Sequence, residues 1–182
     1  MLKKGARVLG IDDSPFDQGT KSVLVVGVVY RDGIVEAVLS TSVERDGEDA
    51  TERVTKMIRK SRFADEIRLI FMNGIMLAGF NVVDIRGLSE RLHIPVIALV
   101  RKKPNMKEVR KALAHVKNSG QKLALIRRAG RVLRHKYYMQ IAGMSFEDAR
   151  AALGMFAPMP EPIRLAHVIA SGVVRGESKG RA

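Results

Sequence analysis

The 182-residue sequence contains no cysteine and no tryptophan, and aromatic residues make up only 5% of it. Without cysteine the chain has no disulfide bond, no thiol nucleophile and no Cys-ligated zinc site. No uninterrupted apolar run approaches the ~20 residues that a transmembrane helix needs, so we expect no membrane span. Residues 1–4 (MLKK) lack an apolar signal core, and we therefore expect a cytoplasmic protein.

Acidic residues are scarce in one part of the chain. The net charge is +13, from 32 Lys and Arg against 19 Asp and Glu. Residues 101–136, the basic segment, hold 13 of those bases and one acid, whereas the rest holds 19 bases and 18 acids. Such a local excess favours a polyanionic partner, most often nucleic acid. The alternative is a solvated surface on which basic residues happen to cluster.

Apolar residues make up 46% of the sequence, enough for a well-filled core. The length suits one domain over residues 1–182, which includes the basic segment and a short polar tail at residues 175–182. No internal repeat or low-complexity region divides it.

The stretch Ala6–Asp13 (ARVLGIDD) is the predicted central strand, and the candidate site is predicted at its end. Its short apolar run, broken by Gly10 and ended by turn formers, is typical of a strand buried on both faces in the middle of a sheet. Asp12 then lies where the strand leaves the core. A carboxylate there is costly unless it is paired, hydrogen-bonded or bound to a cation. The alternative is a turn aspartate that accepts hydrogen bonds from local backbone amides.

The order of the remaining elements predicts an α/β fold. Ser22–Arg31 and Ile34–Val43, joined by Asp32-Gly33, indicate a hairpin that completes a three-stranded antiparallel meander. Two further strands, at Ile67–Met72 and Ile94–Val100, alternate with helices, which indicates parallel strands flanked by helices. This mixed sheet is similar to the RNase H-like architecture, among other folds.

Several further elements follow from periodicity and capping residues. The predicted helices span Ala50–Ser61, Asn81–His93 with Asn81 as N-cap, Asn105–Lys117, Gln121–Arg128, Ser145–Met155 and Ile163–Val174. Residues 131–140 form either a late strand or an extended arm.

Two motifs at opposite ends of the chain resemble endonuclease V. VLGIDDS at residues 8–14 resembles its first motif, in which a strand and a metal-binding aspartate precede serine. PEPIRLAH at residues 160–167 resembles the segment that carries its active-site histidine. More narrowly, the sequence is similar to an archaeal family of unknown function related to endonuclease V. The resemblance implies that Asp12 is a metal ligand and that His167 positions the attacking water or the scissile phosphate.

The middle of the chain departs from the endonuclease V pattern. Asn73 stands where that family has a metal-binding aspartate, and an amide oxygen offers Mg²⁺ no charge. Asp84 is a candidate to compensate, or else an ordinary aspartate of the first helical turn. The candidates for the family's second acid are Glu44, Asp46 and Glu48 in the acidic turn ERDGED, and we choose Asp46. The alternative is that this turn is solvated surface. The family's Pro-Tyr-Ile-Pro wedge has no counterpart before this turn.

These expectations define one function and two rivals. The first is phosphodiester hydrolysis in DNA or RNA with Mg²⁺ or Mn²⁺. Its expected catalytic residues are Asp12, Asp46 and His167, and its expected metal ligands are Asp12, Asp46, Asn73 and Asp84. The nucleic-acid backbone would be held by Arg101, Lys102, Lys103, Arg127, Arg128 and Arg131. The main rival is a non-catalytic nucleic-acid-binding module, motivated by Asn73. The weaker rival is a phosphohydrolase acting on small nucleotides.

Overall fold

A computed structural model describes residues 2–156 and 159–178. Its strands are β1 (Arg7–Asp13), β2 (Ser22–Arg31), β3 (Ile34–Glu44), β4 (Ile67–Asn73), β5 (Met76–Leu77), β6 (Asn81–Val82), β7 (Val96–Val100), β8 (Leu133–Arg134) and β9 (Tyr138–Ala142). Its helices are α1 (Ala50–Arg59), α2 (Ile85–Leu92), α3 (Met106–Leu113), α4 (Ser119–Arg128), α5 (Phe146–Gly154) and α6 (Glu161–Arg175).

Seven strands form one mixed sheet in the order β3-β2-β1-β4-β7-β9-β8, while β5 and β6 pair separately. Strands β1, β2 and β3 are antiparallel neighbours, which confirms the predicted meander. Strands β1, β4 and β7 run parallel, and β9 is antiparallel to β7. The predicted mixed sheet with flanking helices is therefore confirmed, and β1 lies in its interior.

The central strands of the sheet are buried on both faces because they present apolar side chains alternately to each side. Leu9 and Met72 belong to a core that includes residues of α1, α2, α3 and α4. Val8 and Phe71, their sequence neighbours, belong to a second core that includes residues of α5 and the start of α6. Continuous apolar runs in β1 and β4 follow from this two-sided burial.

Helix α6 crosses β1 in unusually close contact at Gly10. A Cβ atom built on Gly10 would overlap the carbonyl group of Pro162 and would lie 2.5 Å from the backbone nitrogen of Ile163. Only a residue without a side chain allows this approach. The glycine of the first motif and Pro162 of the last motif thus form one contact.

The predicted helix over residues 81–93 is shorter in the structure, and its predicted N-cap is wrong. Helix α2 begins at Ile85, and its N-cap is Asp84, whose side chain accepts a hydrogen bond from the Gly87 backbone. Asn81 lies fully buried in β6, where its Oδ1 accepts a hydrogen bond from the Ala50 nitrogen at the start of α1. The asparagine therefore satisfies the start of the preceding helix.

The last third of the chain contains the β8–β9 hairpin and helix α6, which test the remaining predictions. Residues 131–140 contribute to a hairpin in which β8 pairs with β9, so the strand alternative is confirmed in part. Helix α6 extends through Arg175, and residues 179–182 of the predicted polar tail lie outside the described residues. Within residues 2–156 and 159–178, no helix combines the length and apolar character needed to cross a membrane.

Candidate functional site

Three side chains that are far apart in sequence meet at the carboxyl edge of the central strands. Asp12 is the second-last residue of β1 and is only 2% exposed. Both of its carboxylate oxygens accept hydrogen bonds from the Asn73 Nδ2 at the end of β4, at 3.3 and 3.2 Å. The His167 Nδ1 on α6 lies 3.0 Å from the Asp12 Oδ2. We call Asp12, Asn73 and His167 the edge cluster.

The fold brings the edge cluster together through register. Parallel pairing places Ile11 of β1 beside Met72 of β4, so the residues that follow them end side by side. On the other side, the Ile163 backbone contacts Gly10. Two residues along a strand and four along a helix both advance by about 6 Å, so Asp12 and His167 arrive at the same level.

Asp13 is a fourth member of this region that sequence reasoning passed over as a turn residue. Its Oδ2 accepts a 2.8 Å hydrogen bond from the Ala78 backbone nitrogen in the loop after β5. Burial raises the pKa of the Asp13 carboxyl above its usual value. The sequence signal for Asp13 was its position next to Asp12 at a buried strand end. Two neighbouring carboxylates that are both removed from water need a shared cation or a proton to offset their charge.

The electrostatics of the pair favour a proton or a cation at Asp12. Burial, followed by the neighbouring Asp13 charge, raises the pKa of Asp12 to about 8, while the Asn73 amide acts in the opposite direction. Within the described chain, the basic group that contacts Asp12 is the His167 imidazole. A carboxylate in this setting gains more from a bound cation than an exposed one does.

Asp46 lies in the turn after β3, as expected, and it binds a loop of the structure. Its Oδ1 accepts a 2.8 Å hydrogen bond from the Phe80 nitrogen, and its own nitrogen donates to the Ala78 oxygen. Arg45 lies 3.3 Å from its other carboxylate oxygen. Since Ala78 also donates to Asp13, the two carboxylates hold opposite sides of one loop. The structure thus connects Asp46 to Asp13 through backbone.

Asp84 occupies the N-cap of α2, where its side chain accepts from the Gly87 nitrogen. Arg128 lies 3.2 Å from the same carboxylate. These contacts fit the alternative reading of an aspartate at a helix start, stabilised by the first turn. Its role as a metal ligand remains a prediction that these contacts do not support.

The oxygen atoms in this region are the type of ligand that a hard cation prefers, although they are few. Asp12 and Asp13 supply carboxylate oxygens, and a half-turn of the Asn73 amide would present its oxygen in place of Nδ2. Among the described residues, no group of three or more His, Asp or Glu side chains is arranged to hold a metal ion. A cation here would therefore complete its coordination with water or substrate oxygens.

The basic segment forms an exposed surface with one exception. All six predicted backbone-binding residues are exposed: Arg101, Lys102, Lys103, Arg127, Arg128 and Arg131. Arg128 is partly neutralised by Asp84 and Glu90. Lys122 is the exception, because it is 2% exposed and donates to the backbone oxygens of Asp46 and Gly47. It anchors α4 to the acidic turn.

Two solved endonuclease V structures share the fold at low sequence identity. Human ENDOV superposes with a TM-score of 0.58 at 16% identity, over 94% of this chain and 85% of that one. The Ciona intestinalis protein has a TM-score of 0.57 at 15% identity, over 90% and 83% of the two chains. That protein was solved in complex with a 24mer DNA containing an inosine followed by a ribo-adenosine.

Relatives with higher identity carry no stated activity. A UPF0215 protein of Methanothermobacter thermautotrophicus is 44% identical, over 100% of this chain and 94% of that one. A solved Archaeoglobus fulgidus structure, described as a protein of unknown function, has a TM-score of 0.89 at 38% identity, over 94% and 99% of the two chains. The family model described as Endonuclease dU matches residues 4–174. The chain therefore belongs to the Endonuclease dU family.

Proposed function

We propose that this protein is an endonuclease that hydrolyses a phosphodiester bond of a nucleic-acid strand at a deoxyuridine. The fold shared with endonuclease V and the family description support the reaction and the substrate. The observation that carries the proposal is the edge cluster, in which a buried carboxylate contacts the histidine that the sequence motif singled out.

Asp12 and Asp13, with the Asn73 amide, would hold Mg²⁺ or Mn²⁺. When bound, such an ion lowers the pKa of a coordinated water and offsets charge on the phosphate. The raised pKa of Asp12 supports this assignment, because it shows that the neighbouring protein groups do not fully offset the negative charge of the ionised carboxylate. A bound cation would supply the missing positive charge.

His167 is suited to orient the nucleophile or the leaving group. Its Nδ1 faces Asp12, and this contact fixes the ring and leaves Nε2 to exchange a proton with water or a phosphate oxygen. The side chain is 21% exposed, so the ring is reachable from solvent while its position is held by the protein. Asp12 thus has a second role as the group that positions His167.

Strand cleavage tests the proposal directly. The substrate is a labelled oligonucleotide with one central deoxyuridine, incubated with Mn²⁺ or Mg²⁺ and, separately, with EDTA. We expect cleavage near the deoxyuridine that EDTA abolishes and that Asp12→Asn reduces by roughly 10³-fold or more. Asp65→Asn, which changes an exposed aspartate, is the matched control and should cleave as the wild type does. Cleavage that persists in a clean preparation of Asp12→Asn would refute the site.

A non-catalytic nucleic-acid-binding protein is the second candidate, and Asn73 favours it. An amide in place of a third acid leaves the region with one negative charge fewer, which weakens the hold on a divalent cation. This candidate predicts strongly salt-dependent strand binding with no cleavage under any divalent ion. The cleavage assay above separates the two functions.

A further inference from the structure

A cavity of about 380 Å³ lies against the edge cluster, on the side of β4 that faces α3 and α4. Its volume falls in the roughly 300–1,000 Å³ range of pockets for small organic ligands. Most of its wall is apolar, formed by Met76, Ala98, Val100, Val109, Ile126 and Val132. Such a wall suits the faces of a flat, weakly hydrated ring system.

Asn73 connects this cavity to the candidate catalytic residues. The residue lines the cavity, and its Nδ2 donates to both carboxylate oxygens of Asp12. A ligand in the cavity therefore lies one side chain away from Asp12. No comparable link joins the cavity to Asp46 or Asp84 among the described contacts.

The Gln140 carboxamide gives the cavity a defined polarity. Gln140 on β9 is 9% exposed, and its Nε2 donates to the Gly130 oxygen at 2.9 Å. Within the described residues, the Gln140 Oε1 accepts no hydrogen bond. Gln140 thus brings to the lining of an apolar cavity an amide oxygen that is free to accept, and leaving it unpaired beside a bound ligand would be costly.

Acceptors of this kind distinguish uracil from cytosine. Uracil carries an N3–H donor at the position where cytosine carries a bare ring nitrogen with a lone pair. An amide oxygen accepts from the first and repels the second, so burial of cytosine would leave two acceptors facing each other.

The surroundings of the cavity suit the strand that would carry the base. Arg127 contributes to its lining, and Arg101–Lys103 follow directly after Val100, another lining residue. Exposed cations next to an apolar recess hold phosphates while a base enters the recess. An uncharged small molecule would make no use of these cations.

We propose that this cavity binds the uracil base of a deoxyuridine extruded from its strand, with the Gln140 amide oxygen as the acceptor for N3–H. The inference rests on the proposed function, since it gives that function a recognition site. Base entry there would bring the adjoining phosphates toward Asp12 and His167, because Asn73 separates the two sites.

Binding without divalent metal tests the cavity independently of cleavage. Three single strands that differ at one central position carry deoxyuridine, deoxycytidine or a tetrahydrofuran abasic unit, and fluorescence anisotropy in EDTA gives their Kd values. We expect wild type to prefer deoxyuridine over the abasic unit by about tenfold, a stacking-sized effect. Val109→Trp, which fills the cavity, should abolish this preference and leave abasic-strand binding within twofold. Val173→Trp, at an exposed site on α6, is the matched control and should keep the preference.

Gln140→Leu provides the second variant. It should reduce the preference for deoxyuridine over deoxycytidine and retain most binding to the abasic strand, because it removes the acceptor and keeps the apolar bulk. Circular dichroism melting of each variant establishes that it is folded at the assay temperature.

The outcomes separate this inference from the proposed function. If wild type shows no preference over the abasic strand, or if both Val109→Trp and Gln140→Leu keep the full preference, the cavity is not the base site. Selective cleavage that survives Val109→Trp unchanged would overturn the cavity and leave the nuclease standing. A preference that Val109→Trp abolishes, in a protein that cleaves under no divalent ion, would support the cavity and refute the nuclease.

Discussion

Asp12 is a buried carboxylate whose environment in the folded protein favours the protonated form. Its pKa is raised to about 8 from an ordinary value of 3.8, first by burial and then by the charge of Asp13. In the unfolded chain the group releases its proton near the ordinary value. Stability of the metal-free protein should therefore fall as the pH rises from about 4 to about 8, and this contribution should level off above that range.

Asp12→Asn should accordingly stabilise the metal-free protein at pH 8, because the amide replaces a carboxylate that is costly to ionise. We expect a gain of about 1–3 kcal/mol in the free energy of unfolding at pH 8, and a much smaller gain at pH 4.5. Urea denaturation in EDTA at the two pH values measures it. Asp65→Asn, at an exposed aspartate, should show no such difference. Equal effects of Asp12→Asn at both pH values would mean that Asp12 titrates normally.

Asn73 sets the charge of the edge cluster. Asn73→Asp should tighten Mn²⁺ binding by roughly tenfold, because it adds a third carboxylate beside Asp12 and Asp13. The same change should destabilise the metal-free protein at pH 8, where a further buried charge is unfavourable. Isothermal titration with Mn²⁺ measures the first effect and urea denaturation the second. Unchanged or weaker Mn²⁺ binding in a folded Asn73→Asp protein would show that residue 73 does not face the cation.

At the scale of elements, the contact between β1 and α6 determines whether the edge cluster forms. Gly10→Ala should destabilise the protein by about 2–4 kcal/mol, because its Cβ would overlap the backbone of Pro162 and backbone cannot rotate away as a side chain can. It should also reduce cleavage in the fraction that stays folded, since α6 carries His167. Thermal unfolding and a cleavage assay below the melting temperature measure the two effects.

Gly172→Ala is the control on the same helix. A Cβ on Gly172 meets nothing within 4 Å, so the change should leave cleavage intact. It should raise stability by about 0.5–1 kcal/mol, because alanine loses less backbone entropy in a helix. Similar losses from Gly10→Ala and Gly172→Ala would contradict the close approach at Gly10.

The elements themselves were largely predictable from the sequence, because alternation, apolar runs and turn residues are local signals. The meander and the parallel strands follow from such patterns, and so do the strand-end positions of Asp12 and Asn73. Asn81 was assigned to the wrong helix because its partners, such as Ala50, are distant in sequence and capping patterns are read locally. The family motifs implied only that Asp12 and His167 serve one site, and their direct contact was found in the structure, since no periodicity relates residues 155 positions apart.

The cavity beside Asn73 could not be predicted from the sequence, because it too depends on residues that are distant along the chain. Its lining comes from four strands, two helices and the segments between them, and each apolar member resembles an ordinary core residue in the sequence. A void arises only when those elements fail to fill the space between them, which depends on their relative placement. The same applies to Asp13, whose partner Ala78 lies in a loop after β5.

At the scale of the whole molecule, charge is distributed unevenly. Twelve of the 13 basic residues in the basic segment are exposed, and Lys122 alone is buried. The segment begins directly after β7, which is parallel to β4 and ends beside Asn73, so its first cations, Arg101–Lys103, follow the same sheet edge that carries Asp12 and Asn73. In the proposed function, this surface would hold a strand near the candidate site by charge before any base is recognised.

Salt dependence measures how many of these cations contact phosphate. The affinity of wild type for a single strand should fall steeply with salt, and each phosphate contact adds about 0.7 to the slope of log K against log salt concentration. Lys102→Ala/Lys103→Ala should lower that slope by about 1–1.5, whatever base the strand carries, as expected for the loss of two phosphate-binding side chains. Lys56→Ala/Lys60→Ala removes the same charge from exposed positions at the C-terminal end of α1 and should leave the slope nearly unchanged. Equal changes from the two double variants would show that net charge, and not the basic segment, attracts the strand.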